Sequence, residues 1–236
     1  MTTNNKNKNL CIIPARGGSK RIPNKNIKNF CGKPIIAYSI KTALDSALFD
    51  RVVVSTDSQK IADIARDYGA EVPFWRPESL ANDNTPTREA IRHSIEILQT
   101  DGTNIETVFC IYATTPFLRV KDLERGYELL TKHNAPAAIP VTSFPSPIYR
   151  AMHISKSGTL EMVWPEYRKM RSQDLPETYH DAGQFYCARI KPFLEQGRFS
   201  MPGALPIILP RYMVHDIDTE EDWTLAEKVF KAGVAG

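Results

Sequence analysis

IPARGGSKRIPNKN, Ile13 to Asn26, follows directly on the apolar, strand-like run Leu10–Ile13. A strand that opens into a glycine-bearing basic loop is where an α/β sheet receives ligands, at the carboxyl end of the strand. Gly17 and Gly18 are expected to adopt positive φ and to turn backbone N–H groups into one concavity. Arg16, Ser19, Lys20, Arg21 and Lys25 supply charge and donors around it. The natural guest is a polyphosphate. The spacing matches neither G-x-x-x-x-G-K-[ST] nor G-x-G-x-x-G, so neither a P-loop NTPase nor a dinucleotide fold is favoured. The alternative is a basic loop that is merely solvated or grips nucleic-acid backbone through residues 16–33. The glycines weigh against the first version, since a solvated charge run gains nothing from them. Phe30 is the sole aromatic residue of that stretch, which leaves the second without a stacking platform for single strands.

Downstream, Pro34 suits the start of a helix whose Ile35, Ile36, Ile40, Ala43, Leu44 and Ala47 recur at helical spacing. Arg51–Thr56 reads as a strand, Ser58–Tyr68 as a helix closed by Gly69, and Glu71–Trp75 as a strand. A helix begins at Thr85 and Pro86 and runs to about Gln99, Val108–Tyr112 is a buried strand, and Val120–Lys132 a helix. This alternation predicts a mainly parallel sheet with helices on both faces. From Phe144 to Pro210 the rhythm breaks into proline-punctuated, aromatic-rich pieces. That stretch is expected to form an antiparallel excursion that completes its core against a second copy, giving a two-fold dimer. Pro206–Leu209 returns to the main domain, and a helix from Thr219 to Ala232 opens on the capping pair Thr219 and Asp222.

With 236 residues the chain can bury a substantial core as a single domain spanning 10–236, after a polar tail at 1–9 expected to be disordered. Its four cysteines, Cys11, Cys31, Cys110 and Cys187, form no C-x-x-C pair, which suits reduced thiols in a cytoplasm and suggests neither a disulfide framework nor a zinc site. No apolar run is long enough to span a membrane. A net charge of +3, from 30 basic and 27 acidic residues, is too balanced for a protein that coats DNA. The positive charge is local, so the expected partner is a small anion rather than a nucleic acid or a membrane.

Asp216-Ile217-Asp218 is the second strong feature. Residues two apart on an extended segment point the same way, so both carboxylates converge while Ile217 turns to the other face. Such a pair suits magnesium, which takes one or two carboxylates together with substrate phosphates. The alternative is that Asp218 only caps the next helix. A cationic cradle and an acidic pair together describe nucleotidyl transfer.

IPARGGSKRIPNKN, with RPESLANDNTPT (Arg76–Thr87), TTPFLR (Thr114–Arg119) and DIDTEEDW (Asp216–Trp223), resembles the CMP-acylneuraminate synthetase family of cytidylyltransferases in the same order along nearly the whole chain. Arg171–Tyr186, RSQDLPETYHDAGQFY, is similar to the pseudaminic acid branch; sialic acid enzymes end nearer N-G-A-I-Y. The resemblance implies a Rossmann-like three-layer nucleotide-diphospho-sugar transferase fold, a homodimer, CTP as donor and Mg2+ as cofactor. It assigns the triphosphate to Arg16, Gly17, Gly18, Ser19, Lys20 and Lys25, the ribose and base to Asn26, and the cytidine pocket to Arg76, Ala81, Asp83 and Thr85. Asp216 and Asp218 become metal ligands, catalytic together with Lys20. Arg171, His180, Asp181, Gln184 and Tyr186 are then candidates for the sugar acid, with Arg171 facing its carboxylate. The expected reaction is attack of the anomeric C2 hydroxyl of pseudaminic acid on the α-phosphorus of CTP. N-acetylneuraminate, legionaminate or a 3-deoxy octulosonate are the alternative acceptors. One departure stands out: Tyr112-Ala113-Thr114 replaces the Q-P-T of the sialic acid enzymes.

Overall fold

The structure, a computed structural model, describes residues 8–100 and 102–233. In chain order the elements are β1 (Lys8–Pro14), a small hairpin of β2 (Asn29–Phe30) and β3 (Lys33–Pro34), α1 (Ile35–Asp45), β4 (Arg51–Ser55), α2 (Gln59–Asp67), α3 (Thr87–Thr100), β5 (Ile105–Ile111), α4 (Val120–Thr131) and β6 (Ala137–Ser143). Then follow a second hairpin, β7 (Met152–Ile154) and β8 (Leu160–Met162), and β9 (Tyr179–Asp181), β10 (Phe185–Arg189), α5 (Ile190–Gln196), β11 (Leu205–Ile208) and α6 (Glu220–Lys231).

β1 lies between β4 and β5, and from Leu10 to Ile13 every side chain is apolar and buried. Cys11 and Ile13 pack among residues of α1, α2 and α4 on one face, and Leu10 and Ile12 pack with α3 and α5 on the other. That strict alternation makes three layers. The described sheet has the order β11-β6-β10-β5-β1-β4, with β9 also paired to β6. β4, β1 and β5 run parallel, as do β6 and β11, whereas β10 lies antiparallel between β5 and β6. A third apolar cluster, built on Phe30, Ile35, Ile217 and Trp223, binds α6 to the N-terminal loop. Phe30 meets Tyr38, Trp223 and Phe230 edge-on at 5.4–5.8 Å, a favoured aromatic geometry. The predicted capping box at Thr219 and Asp222 is present.

Four sequence expectations need adjustment. Glu71–Trp75 makes only a single bridge to Val53, because Pro73 has no N–H for a further rung. Residues 1–7 of the expected tail lie outside the described residues. Lys8 and Asn9 belong to β1, where the Asn9 side chain bonds Leu48 O at 3.0 Å and the Thr107 hydroxyl at 2.9 Å. The 144–210 excursion is narrower than its composition suggests: β10 and β11 are interior parts of the main sheet, and β9 continues along β6. The detached portion is the β7–β8 hairpin with its flanking turns. Finally, neither Gly17 nor Gly18 takes positive φ. Gly17 is needed for space, since a Cβ there would lie 3.1 Å from Ser58 Cβ, and Gly18 faces open solvent.

Gly126 lets α4 approach the sheet closely. A Cβ there would sit 2.9 Å from Cys187 Sγ and 3.3 Å from Ile207 Cδ1. Gly126→Val is therefore expected to lower unfolding stability by about 1–3 kcal/mol through overpacking, despite its better helix propensity. Urea titration of the two proteins checks it.

Candidate active site

β1 ends at Pro14, and the chain leaves beside the end of β4, where Ala15 N donates to Ser55 O at 2.9 Å. Gly17 N donates to Asp57 Oδ1 at 2.8 Å, and the buried Asn26 amide donates to Arg16 O at 2.9 Å. Loop 15–26 is thus tied down at both ends. It forms one wall of a cavity of about 300 Å3 that Arg16, Ser19, Lys25 and Asn26 line from one side and Arg76, Leu80, Asn82, Asp83 and Thr85 from the other. Arg76 is buried, spends its guanidinium on Ser55 Oγ at 3.2 Å and on Ser55 O, and has its pKa lowered by burial to about 10, so it stays charged at neutral pH.

Asp83 bridges the cations of the cradle. Its carboxylate meets Arg16 Nη2 and Lys20 Nζ, each at 2.5 Å, and their hydrogen bonds hold its pKa below the usual carboxylate range. Lys20 stands at the solvent rim. Asp83, expected in the cytidine pocket, lines the first cavity but spends its carboxylate on these two cations. Ala81 contributes only its carbonyl, 3.5 Å from Arg16 Nη1.

The two ends of the chain meet at Lys25. Its ammonium donates to Ile217 O at 2.7 Å and to Asp218 Oδ1 at 3.2 Å, while Arg21 holds Asp218 Oδ2 at 2.6 Å. Ile217 is buried against Phe30 and Trp223, so the alternation expected of the D-x-D segment is present. Lys25 also lines a second cavity, of about 510 Å3, together with Asp216, Tyr112, Thr114, His180, Asp181 and Tyr186. Asp216 has no direct cationic partner among the described residues. Desolvation first, and the neighbouring Asp218 second, push its pKa above the usual value, partly offset by Lys25 and Arg21.

Of the five acceptor candidates, His180, Asp181 and Tyr186 line this second cavity. Asp181 accepts from Gly183 N at 2.8 Å and from the Tyr186 hydroxyl at 2.7 Å, which orient its carboxylate. Burial, with Tyr112 and Asp181, raises the Tyr186 pKa, so its hydroxyl remains a donor. His180 turns Nδ1 to Asp181 O and sets its ring at a tilt against Phe144, centroids 4.9 Å apart. Gln184 and Arg171 are placed otherwise. Gln184 is buried beneath the cavity and donates to Met213 O at 2.5 Å, bracing the segment that leads to Asp216. Arg171 sits on an exposed turn paired with Asp174 at 2.8 Å and lines neither cavity. Tyr112, at the carboxyl end of β5, was missed as a site residue although it lines both cavities. Its signal was the apolar run that stops at a polar T-T-P turn, where an α/β sheet exposes its ligands.

Among the described residues no group of three or more His, Cys, Asp and Glu is gathered for a metal. Asp216 lines the second cavity, and Asp218 lines neither, being held by Lys25 and Arg21; as two hard oxygen donors at the Lys25 wall they are a donor set that fits magnesium shared with a substrate phosphate.

The sequence profile of the cytidylyltransferase family matches residues 10–196. The chain belongs to that family. It is 43% identical over 224 residues to the pseudaminic acid cytidylyltransferase of Campylobacter jejuni, spanning 95% of this chain and 97% of the relative. It is 35% identical over 234 residues to the CMP-N,N'-diacetyllegionaminic acid synthase of Legionella pneumophila, covering 94% and 96% of the two chains. Among solved structures, CMP:2-keto-3-deoxy-manno-octonic acid synthetase complexed with CTP superposes with a TM-score of 0.68 at 17% identity over 96% of this chain and 99% of that one, a likeness of fold. The chain is thus a nucleotidyltransferase enzyme with the expected α/β architecture, and its family replaces the non-catalytic nucleic-acid module.

In this cytidylyltransferase the raised pKa of Asp216 has a thermodynamic sign. A carboxyl whose folded pKa exceeds its unfolded value favours the native state when protonated and costs stability once ionised. Asp216→Asn should therefore raise the melting temperature at pH 7. That gain should shrink as pH falls through the folded pKa and vanish below about 3.8, the ordinary value. Thermal melts at pH steps from 8 to 4 measure it.

Proposed function

We propose that this enzyme transfers CMP from CTP to the anomeric C2 hydroxyl of pseudaminic acid. The observation that carries the reading is Lys25, which lines both cavities and binds the acidic segment, so that a triphosphate and an acceptor would share one wall. The choice of sugar is supported by the 43% identical relative of that name. Legionaminate is the second reading, supported by the 35% identical synthase.

CTP would lie with its base toward Asn26, Arg76 and Thr85 and its phosphates toward Arg16, Ser19, Lys20 and Lys25. The acceptor would fill the second cavity, with the Tyr186 hydroxyl and the Asp181 carboxylate turned to its polar groups and the Tyr112 ring as an apolar wall. The reaction forms one bond from the hydroxyl oxygen to the α-phosphorus, breaks the bond to the β-phosphate oxygen, and releases pyrophosphate and a proton. Arg16, Lys20 and Lys25 would oppose the charge that grows on the departing pyrophosphate. Asp216 and Asp218 would hold Mg2+, which when bound acts as a Lewis acid toward the α-phosphate and the hydroxyl. The free cysteines Cys11, Cys31, Cys110 and Cys187 suit a reducing cytoplasm, and among the described residues no helix is long and apolar enough to cross a membrane.

A homodimer built through the β7–β8 hairpin belongs to the same proposal. Met152, Ile154 and Leu160 are 60%, 73% and 71% exposed, and an isolated two-stranded hairpin is marginal in water without a surface to pack on. Combining Ile154→Asp with Leu160→Asp should halve the mass in sedimentation analysis; an unchanged mass would remove this interface.

Purified protein given CTP, magnesium and a panel of 2-keto sugar acids should release pyrophosphate fastest with pseudaminic acid. A preference for legionaminate would select the second reading. Asp216→Asn combined with Asp218→Asn should cut turnover by more than the ~100-fold that loss of an outer-shell partner costs, while calorimetry still detects CTP.

A further inference from the structure

Arg16 and Lys20 project from the loop after β1 and are engaged across the first cavity by one side chain, Asp83, whose two oxygens each take one cation at 2.5 Å. The turn that carries Asp83 does not need that carboxylate. Asn82 Oδ1 accepts from Asn84 N at 2.9 Å and Thr85 N at 3.0 Å, Asn82 Nδ2 donates to Ser79 O at 2.7 Å, and the Thr85 hydroxyl donates to Ser79 O at 3.1 Å. Among the described residues the Asp83 carboxylate makes no hydrogen bond to its own turn. Its partners are the cations alone, on a turn already held by Asn82.

We propose that Asp83 is a resident counter-ion that occupies Arg16 and Lys20 until the pyrophosphate unit of a ligand displaces it, and that it speeds the release of that unit. The proposal rests on the nucleotide-transfer reading and assigns Asp83 a role opposite to that of a phosphate ligand. CMP, whose one phosphate would stand at the α position, does not draw on Arg16 and Lys20, which face the departing pyrophosphate. A pyrophosphate unit presents several oxygens to both cations at once and reaches Ser19 and Lys25 besides, so it displaces the carboxylate. After transfer, the CMP-sugar no longer carries that unit. Asp83 then competes with free pyrophosphate for the same two cations and favours its departure. The device costs affinity for every pyrophosphate-bearing ligand and leaves CMP untouched.

Asp83→Asn keeps the shape of the side chain on an exposed turn and removes its charge. Isothermal titration of wild type and variant with pyrophosphate, CTP and CMP, in EDTA and low salt, reads the effect without magnesium. Pyrophosphate and CTP should each bind about fivefold tighter to the variant, the scale of a partly exposed ion pair, with CMP unchanged. In turnover with magnesium, pyrophosphate should inhibit the variant at correspondingly lower concentration. Unchanged or weaker pyrophosphate binding by the variant, or an equal gain for CMP, would overturn the counter-ion role while leaving the nucleotide reading intact. Wild-type protein that binds neither CTP nor pyrophosphate would remove both.

Discussion

One ammonium group joins what the chain keeps far apart. Lys25 reaches Ile217 O and Asp218 across 192 and 193 positions of sequence. Both sides of that contact are prepared by apolar packing, because Phe30 beyond the loop and Ile217 between the two aspartates share one buried cluster with Trp223. Lys28 reinforces it, lying over the Trp223 ring at 4.7 Å and pairing with Glu220. The height at which the carboxylates enter the cleft is thus set by a hydrophobic anchor, and the charges decide only which way they face.

The cleft is electrically almost closed upon itself. Asp83 engages Arg16 and Lys20, Asp218 engages Arg21 and Lys25, and among the described residues Asp216 and Asp181 have no direct cationic partner. A concentration of basic side chains around an empty cavity would repel itself and loosen the loop. Carboxylates from the opposite wall remove that repulsion, and each is displaceable because none of the pairs is deeply buried.

What the sequence makes legible is local. The strand at Leu10–Ile13, the helix after Pro34, the box at Thr219 and the alternation of Asp216, Ile217 and Asp218 all follow from neighbours a few residues apart. The placement of β10 does not, since an apolar five-residue run carries no mark of its direction or its neighbours. Gln184 was misjudged for a related reason. Gly183 adopts φ +62 between β9 and β10, and a kink of that kind resets which face the next residue meets. Asp83 lies in the expected turn, yet order along the chain cannot distinguish a side chain that binds a guest from one that stands in the guest's place. Tyr112 escaped because an aromatic residue closing a buried strand reads as core.

The antiparallel strand at the centre of the sheet also bears on biogenesis. β4, β1 and β5 can associate as soon as residue 111 has left the ribosome, and with them comes the basic loop. β6 and β11 can join that block only through β10, and the aspartates follow 27 residues after its last residue, Arg189. Domains generally fold as units during synthesis, amino end first. A nascent chain arrested before that stage holds the basic loop and Asp83 without Asp216 and Asp218, so the acidic segment is the last part of the site to arrive.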